Sequence, residues 1–331
     1  MDNTKIKLFI IILIPAVIVA IAAALRIVVF IPDKKIKEKQ VHKIYRLLDG
    51  MPVRTEGLVN LKPWAIMIEN HYDSRPASGL DKASLVFEAE TEGKITRFMA
   101  IFDGASDIKK IGPVRSVRPY FILWAEKWDP VFLHSGGSPD ALARLKDSLM
   151  YNINEISSDG IFFWRDKSRS RPHNLYTSSS LINEAIAAKE IDGTGAYKPW
   201  LFKDDIVLEK RPQTAEDIKI DFTEPGYEVF YKYDRDKNSY LRYLDEDKHL
   251  TAEGNEIWLK NVILLKTTAK IIDSEGRLDV ALKGQGSAEI FLDGKKIEGV
   301  WKNIDGDLKF YDDSGEMVFN RGNIWIEVIF G

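Results

Sequence analysis

The first pattern in the chain is an apolar run, Leu8–Leu25, broken only by Pro15 and continued after Arg26 by Ile27–Ile31. At 1.5 Å rise per residue its 18 positions cover roughly 27 Å, close to the hydrocarbon thickness of a bilayer, so residues 1–33 are expected to form one transmembrane helix. The rival is a cleaved signal peptide, with Lys5 and Lys7 before the run and Ala22-Ala23-Ala24 as a small-residue cleavage site. The run exceeds the usual signal-peptide core, which favours an uncleaved anchor. Residues 34–49 then read as a polar, weakly amphipathic helix or stalk that stops at Asp49-Gly50.

From Trp64 the pattern alternates between strands and helices. Trp64–Glu69, Ser84–Glu90, Ile95–Phe102 and Pro130–His134 read as strands; Pro119–Lys127, Pro139–Leu149 and Ser178–Lys189 have helical spacing, with Ser138-Pro139-Asp140 as a start signal. Residues 50–200 are therefore expected to form a mixed α/β sandwich domain. Beyond Pro199 the helices give way to closely spaced strands: Tyr227–Tyr233, Ser239–Leu244, Glu289–Leu292, Lys295–Ile297 and Ile324–Phe330, with Asp293-Gly294 as a hairpin turn. Residues 201–331 are expected to be a mainly β domain, making the fold class α+β with two domains after one transmembrane helix.

Composition narrows the function classes. Among 331 residues there are 47 Lys and Arg against 50 Asp and Glu, a net charge of −3, which lacks the basic footprint of a nucleic-acid binder. Cysteine is absent, which excludes disulfides, thiolate metal sites, cysteine nucleophiles and a lipidated cysteine. Basic side chains at Arg26, Lys34, Lys35, Lys37 and Lys39 outnumber Lys5 and Lys7 across the apolar run. A simple count would leave the body in the cytoplasm, but large domains translocate largely regardless of charge.

One region carries more polar chemistry than a core needs: Glu69-Asn70, Glu88–Gly93, Thr96-Arg97, Arg115-Ser116 with Arg118, His134–Ser138, Arg165 and Pro172–Asn174. Glu88, Glu90 and Glu92 would share one face of a strand, suited to acid/base chemistry or to ion pairing with arginines. Arg97, Arg115 and Arg118 supply forked donors suited to phosphate or carboxylate. The candidate cleft is thus Glu69, Asn70, Glu88, Glu90, Thr96, Arg97, Arg115, Ser116, Arg118, His134, Arg165, His173 and Asn174. His134-Ser135-Gly136-Gly137-Ser138 is not the G-x-S-x-G elbow of hydrolases, and the chain has no P-loop or dinucleotide fingerprint. His71, His134 and His173 lack metal-ligand spacing, so neither a metal nor another cofactor is expected.

At Leu48–Val53, Met67–Asn70, Arg75–Leu80, Glu92–Phe102, Ile111–Tyr120, His134–Ser138, Phe163–Arg165 and Pro172–Asn174, and again at Gly284–Gly286, Gly299–Trp301 and Arg321–Trp325, the sequence resembles the YerB-like family of bacterial cell-envelope lipoproteins. That family is built on a two-part domain of unknown function and brings no established catalytic residues. The resemblance implies an exported protein tethered to the cell membrane with its C-terminal body outside the cytoplasm. Leu8–Ile31 would replace the lipidated cysteine of the family. The leading expectation is a non-enzymatic binder of cell-wall glycan or of an envelope protein. Two alternatives stay open: an enzyme on cell-wall or lipid-linked glycan with Glu88 or Glu90 as acid/base, and a structural envelope scaffold.

Overall fold

The computed structural model describes residues 43–331 apart from Thr223. The expected transmembrane helix and residues 34–42 of the stalk lie outside the described residues; among those described, no helix is long and apolar enough to cross a membrane. The start of the described chain corrects the stalk reading, because residues 43–50 are not helical. Ile44–Tyr45 pairs antiparallel with Pro52–Val53, and the turn between them carries Asp49 into the interior. There the Asp49 carboxylate accepts from Arg46 Nε (2.9 Å), the Met51 N–H (3.0 Å) and Ser84 Oγ (2.7 Å). A side chain that reads as a helix stop is in fact a buried anchor.

The strands used below are β1 Trp64–Glu69, β2 Leu85–Glu90, β3 Thr96–Phe102, β4 Val131–His134, β5 Asn152–Asn154, β6 Ile218–Asp221, β7 Glu228–Asp234, β8 Ser239–Leu244, β9 Asp247–Lys248, β10 Trp258–Leu259, β11 Asn261–Thr267, β12 Gly284–Leu292, β13 Lys295–Ile304, β14 Asp307–Asp312, β15 Gly315–Glu316 and β16 Ile324–Phe330. The helices are α1 Pro119–Glu126, α2 Pro139–Asp147 and α3 Ser179–Ala188. Each expected helix forms within a few residues of its sequence signal. Ser138 caps α2 by accepting from the Ala141 N–H, and Ser178 caps α3 by accepting from that of Leu181.

Eleven strands form one mixed sheet in the order β15-β14-β13-β12-β11-β16-β2-β3-β1-β4-β5. The last strand of the chain, β16, lies parallel between β11 and β2, with Glu327 opposite Glu88. Residues 50–200 and 201–331 therefore share their largest sheet, although β6–β10 of the second half form a sheet of their own. One sheet runs through both, and the boundary read near residue 200 is a change of texture along the chain, not a break in the hydrogen-bonded ladder.

Strand alternation sorts the side chains of this sheet onto two faces. Ala65, Met67, Leu85, Phe87, Met99 and Ile101 pack with Tyr120, Phe121 and Trp124 of α1 and Ala141 and Leu145 of α2. Ile66, Ile68, Val86, Phe98 and Ala100 face the other way, against Ile182 and Ala185 of α3 and the five-stranded sheet β6–β10, which contributes Ile218, Ile220, Val229, Tyr231 and Tyr240. The central strands are buried on both faces, which is why they read as continuous apolar runs.

Candidate functional site

A small cavity of about 220 Å³ lies where β1 ends, β2 turns into β3, and the segment before α1 crosses them; Glu69, His71, Thr91, Glu92, Ile95, Thr96, Arg97, Arg115 and Arg118 line it. The crossing segment is wedged between the end of β1 and the chain beyond β4. Glu69 N–H donates to the Pro113 carbonyl and Arg115 N–H to that of Met67, while Ser135 N–H donates to the Arg115 carbonyl and Val117 N–H to that of Gly136. The glycines after His134 permit this approach. Gly136 has φ +65°, and a Cβ on Gly137 would stand 2.7 Å from Val117 Cγ1.

Arg97 is the central group. Its position in β3 opposite Ala89 and Glu69 puts it on the same face as Met99 and Ile101, buried at the strand end. Its guanidinium donates to the Ser116 carbonyl (2.6 Å), and among the described residues it forms no ion pair. Burial, then the neighbouring Arg118 and Arg115 charges, lower its pKa to about 10, so it remains cationic at neutral pH. Arg118 makes a two-pronged pair with Glu92, and that contact holds the Glu92 carboxyl below its ordinary value against the opposing effect of burial. Arg115 Nε lies 2.9 Å from Glu69 Oε1 but out of line for a hydrogen bond. Three guanidinium groups thus face two carboxylates, leaving one positive charge in excess.

The second oxygen of Glu69 lies 3.0 Å from His173 Nδ1, and the His173 ring stacks on His71 at 5.0 Å between centroids. One nitrogen from each of these rings and one oxygen of Asp73 lie within 4.8 Å of one another. Sequence spacing had argued against histidine ligands here. The fold supplies the proximity that spacing lacks, by bringing the 171–174 turn over the end of β1.

The remaining expected cleft residues go elsewhere. Glu88 is fully buried on the opposite face of the sheet from Arg97, so it is not a cleft residue. Its Oε1 accepts from Thr96 Oγ1 (2.6 Å) and Asn70 Nδ2 (3.1 Å), and its Oε2 pairs with Arg242, itself fully buried. Glu327, Tyr231 and His249 complete this interior network: Tyr231 OH donates to Glu327, and the Arg242 guanidinium reaches His249 Nδ1. Sequence reasoning missed Arg242, His249 and Glu327; the lone acid inside the apolar run of Ile324–Phe330 was the available signal. Glu92 is not on the Glu88 strand face, because the chain leaves β2 at Glu90 and turns through Gly93 at φ +70°. The Glu90 carbonyl accepts from Tyr120 OH (2.8 Å).

His134 is buried in β4 with Nδ1 2.8 Å from the Gly136 carbonyl; burial lowers its pKa and favours the neutral ring, and His134 is not among the residues that line the arginine cavity. Ser116 Oγ donates to the Ser135 carbonyl and so holds the crossing segment in place. Arg165 and Asn174 belong to a loop network: Arg165 pairs with Glu155 and donates to Asn174 Oδ1, while Asn174 Nδ2 donates to the Asp166 and Arg169 carbonyls. Of the expected cleft, Glu69, Thr96, Arg97, Arg115 and Arg118 do converge.

Residues 48–192 match the model of the N-terminal domain, and residues 218–326 that of the C-terminal domain, of the protein family of unknown function DUF3048. The chain is 32% identical over 271 residues to "Putative lipoprotein YerB" of Bacillus subtilis (strain 168), a match covering 81% of each chain. The chain belongs to this YerB-like family. Its structure is also similar to the crystal structure of the Bacillus subtilis YerB protein, with a TM-score of 0.79 at 31% identity, covering 87% of this chain and 97% of that one. The two family models meet the chain on either side of residue 200, while β16 carries C-terminal residues into the YerB-like sheet between N-terminal and C-terminal strands.

Proposed function

We propose that this YerB-like protein is a membrane-tethered, extracytoplasmic binding protein whose arginine pocket takes an anionic group, phosphate or carboxylate, of cell-wall glycan. The observation that carries this reading is Arg97, a buried cation with a carbonyl partner and no paired carboxylate among the described residues. A guanidinium withdrawn from water at that cost is stabilised by an incoming anion with matching fork geometry. A volume of about 220 Å³ suits one anionic group of a polymer, not a long stretch of glycan. The name of the Bacillus subtilis relative, a lipoprotein, supports placement at the outer face of the membrane. In this chain the apolar Leu8–Ile31 would serve as the tether. Tethering raises the local concentration of the pocket beside the wall, so a weak single-site affinity suffices.

The enzymatic alternative loses Glu88 as its acid/base, since Glu88 sits in the interior with its oxygens committed to Arg242, Asn70 and Thr96, and its other candidate, Glu90, is not among the residues that line the arginine cavity. The test is retention of the detergent-solubilised full chain on purified sacculi. Arg115→Ala with Arg118→Ala is expected to reduce retention at least tenfold without loss of cooperative unfolding. Retention unchanged by that pair of substitutions in folded protein would remove the pocket from the function.

A further inference from the structure

Beside the arginine pocket, His71, Asp73 and His173 form a group that the anion-binding reading does not use. We propose that these three side chains bind a divalent transition metal ion, with zinc as the best-suited occupant, and that Glu69 fixes His173 as a ligand. Imidazole and carboxylate donors suit zinc, and three protein ligands leave a fourth position for water or a ligand group.

Two independent features point to a ligand. The first is the set itself: one donor atom from each residue, all within 4.8 Å of one another. With metal–ligand bonds of about 2.0–2.2 Å, the donors of a tetrahedral site stand roughly 3.4 Å apart. The widest separation therefore has to shrink by up to about 1.4 Å; His71 Nδ1 and Asp73 Oδ2 already stand 3.6 Å apart, so closure brings this pair, at the one-turn helix Tyr72–Ser74, towards His173, and Asp73, 59% exposed, is free to follow. The second is the Glu69–His173 contact. Glu69 is buried, and its Oε2 accepts from His173 Nδ1 at 3.0 Å. That bond assigns the proton to Nδ1 and leaves the lone pair on Nε2. A carboxylate that orients an imidazole in this way is the usual outer partner of a metal-bound histidine.

The division of labour at Glu69 is also consistent with charge. One oxygen faces Arg115 and the other His173, so the carboxylate is not consumed by its arginine. Asp73 brings a charge of its own to the ion, while the Glu69 charge is shared with Arg115. At present His71 Nδ1 accepts the Asp73 N–H at 3.2 Å, and the two rings are stacked with 21° between their planes. Coordination would require only local rotation of His71 and Asp73, leaving β1 and the sheet unchanged.

The experiment uses the full chain in detergent, stripped with chelator and titrated with Zn²⁺ by calorimetry and with Co²⁺ by visible absorption. We expect one ion per chain and the intense absorption bands of four-coordinate cobalt. His173→Ala and Asp73→Asn should each weaken binding more than tenfold at unchanged melting temperature. Glu69→Gln should weaken it roughly 10–100-fold, as loss of an outer partner does elsewhere. Arg97→Gln, which removes a guanidinium bonded to the Ser116 carbonyl and to none of His71, Asp73, His173 and Glu69, should keep the ion, so failure of the metal site and failure of the pocket are read separately. No saturable binding to the native chain, or zinc stoichiometry unchanged in the His71→Ala/His173→Ala variant, would overturn the proposal. Loss of the ion in folded Arg97→Gln would overturn the assignment of ligands.

Discussion

At the scale of single residues, Glu88 and Arg97 show how two charges close in sequence can have opposite fates. Both lie in adjacent antiparallel strands, but their positions place them on opposite faces of the sheet. Glu88 enters the sandwich and meets Arg242; Arg97 enters the pocket. Residue type and local spacing were legible in the sequence, which is why Arg97, Arg115 and Arg118 stood out together, and the fold places all three along one cavity. The face was not, because it depends on which layer covers each side. Removing Arg242 would leave Glu88 buried without its cation, so Arg242→Ala should cost about 3–5 kcal/mol in chemical denaturation. Arg242→Met combined with Glu88→Gln should recover much of that loss, since the charge imbalance is then removed on both sides.

The same network sets a pH dependence. Burial first, and the Glu88 charge next, push the Glu327 carboxyl well above its ordinary value, and its Oε2 has no hydrogen-bond partner among the described residues. A carboxylic acid at Glu327, sharing its proton with Glu88, resolves both facts. Because the folded pKa is raised, the stabilisation is full below the unfolded value near 4.5 and is lost as pH rises through the folded value. His249 has the opposite linkage: burial and Arg242 hold its pKa well below 6.5, so stability falls as pH drops under that value. Glu327→Gln should therefore gain on the native chain as pH increases above 4.5, measured as the difference in denaturation midpoints. A difference independent of pH between 5 and 8 would contradict a protonated Glu327.

At the scale of elements, the strands and helices were largely legible and their partners were not. The Asp293-Gly294 turn is an example of success. Both residues have positive φ, +55° and +70°, and Leu292 pairs with Lys295 as a two-residue hairpin requires. A Cβ on Gly294 would stand 2.5 Å from Tyr233 Cε1 and 2.8 Å from Pro212 Cγ. Gly294→Ala is thus expected to lose more than about 1 kcal/mol, from αL strain plus the clash. The second turn of this kind, Asp305-Gly306, joins β13 to β14 and was carried by the sequence without being read. The parallel insertion of β16 was beyond local reading, because nothing in Ile324–Phe330 states that its neighbours are residues 85–89 and 261–267. Its consequence is testable: residues 43–200 expressed alone would lose the β16 partner of β2 and bury Glu88 without Arg242. Such a fragment should show poor proton-shift dispersion and rapid proteolysis, whereas cooperative unfolding of the isolated fragment would show that the shared sheet is not required.

For the molecule as a whole, function in this reading depends on which side of the membrane receives residues 43–331. The basic side chains flanking Leu8–Leu25 favour a cytoplasmic body if counted alone, with Arg26, Lys34, Lys35, Lys37 and Lys39 on the C-terminal side. That count governs short loops, not the export of a long folded body, and membership of the YerB-like family argues for the outer side. Alkaline phosphatase fused after Gly331 should consequently be active, and protease added to spheroplasts should digest the body while leaving cytoplasmic markers intact. The orientation also decides the chemistry available to the pocket. Under the proposal, Arg97 would lie within reach of anionic wall polymer outside the membrane, and retention on sacculi should fall as added salt screens the half-buried Arg115 and Arg118. An inactive phosphatase fusion with a protease-resistant body would place Arg97 away from any wall polymer, and the glycan reading would fail even if the pocket still bound phosphate in detergent.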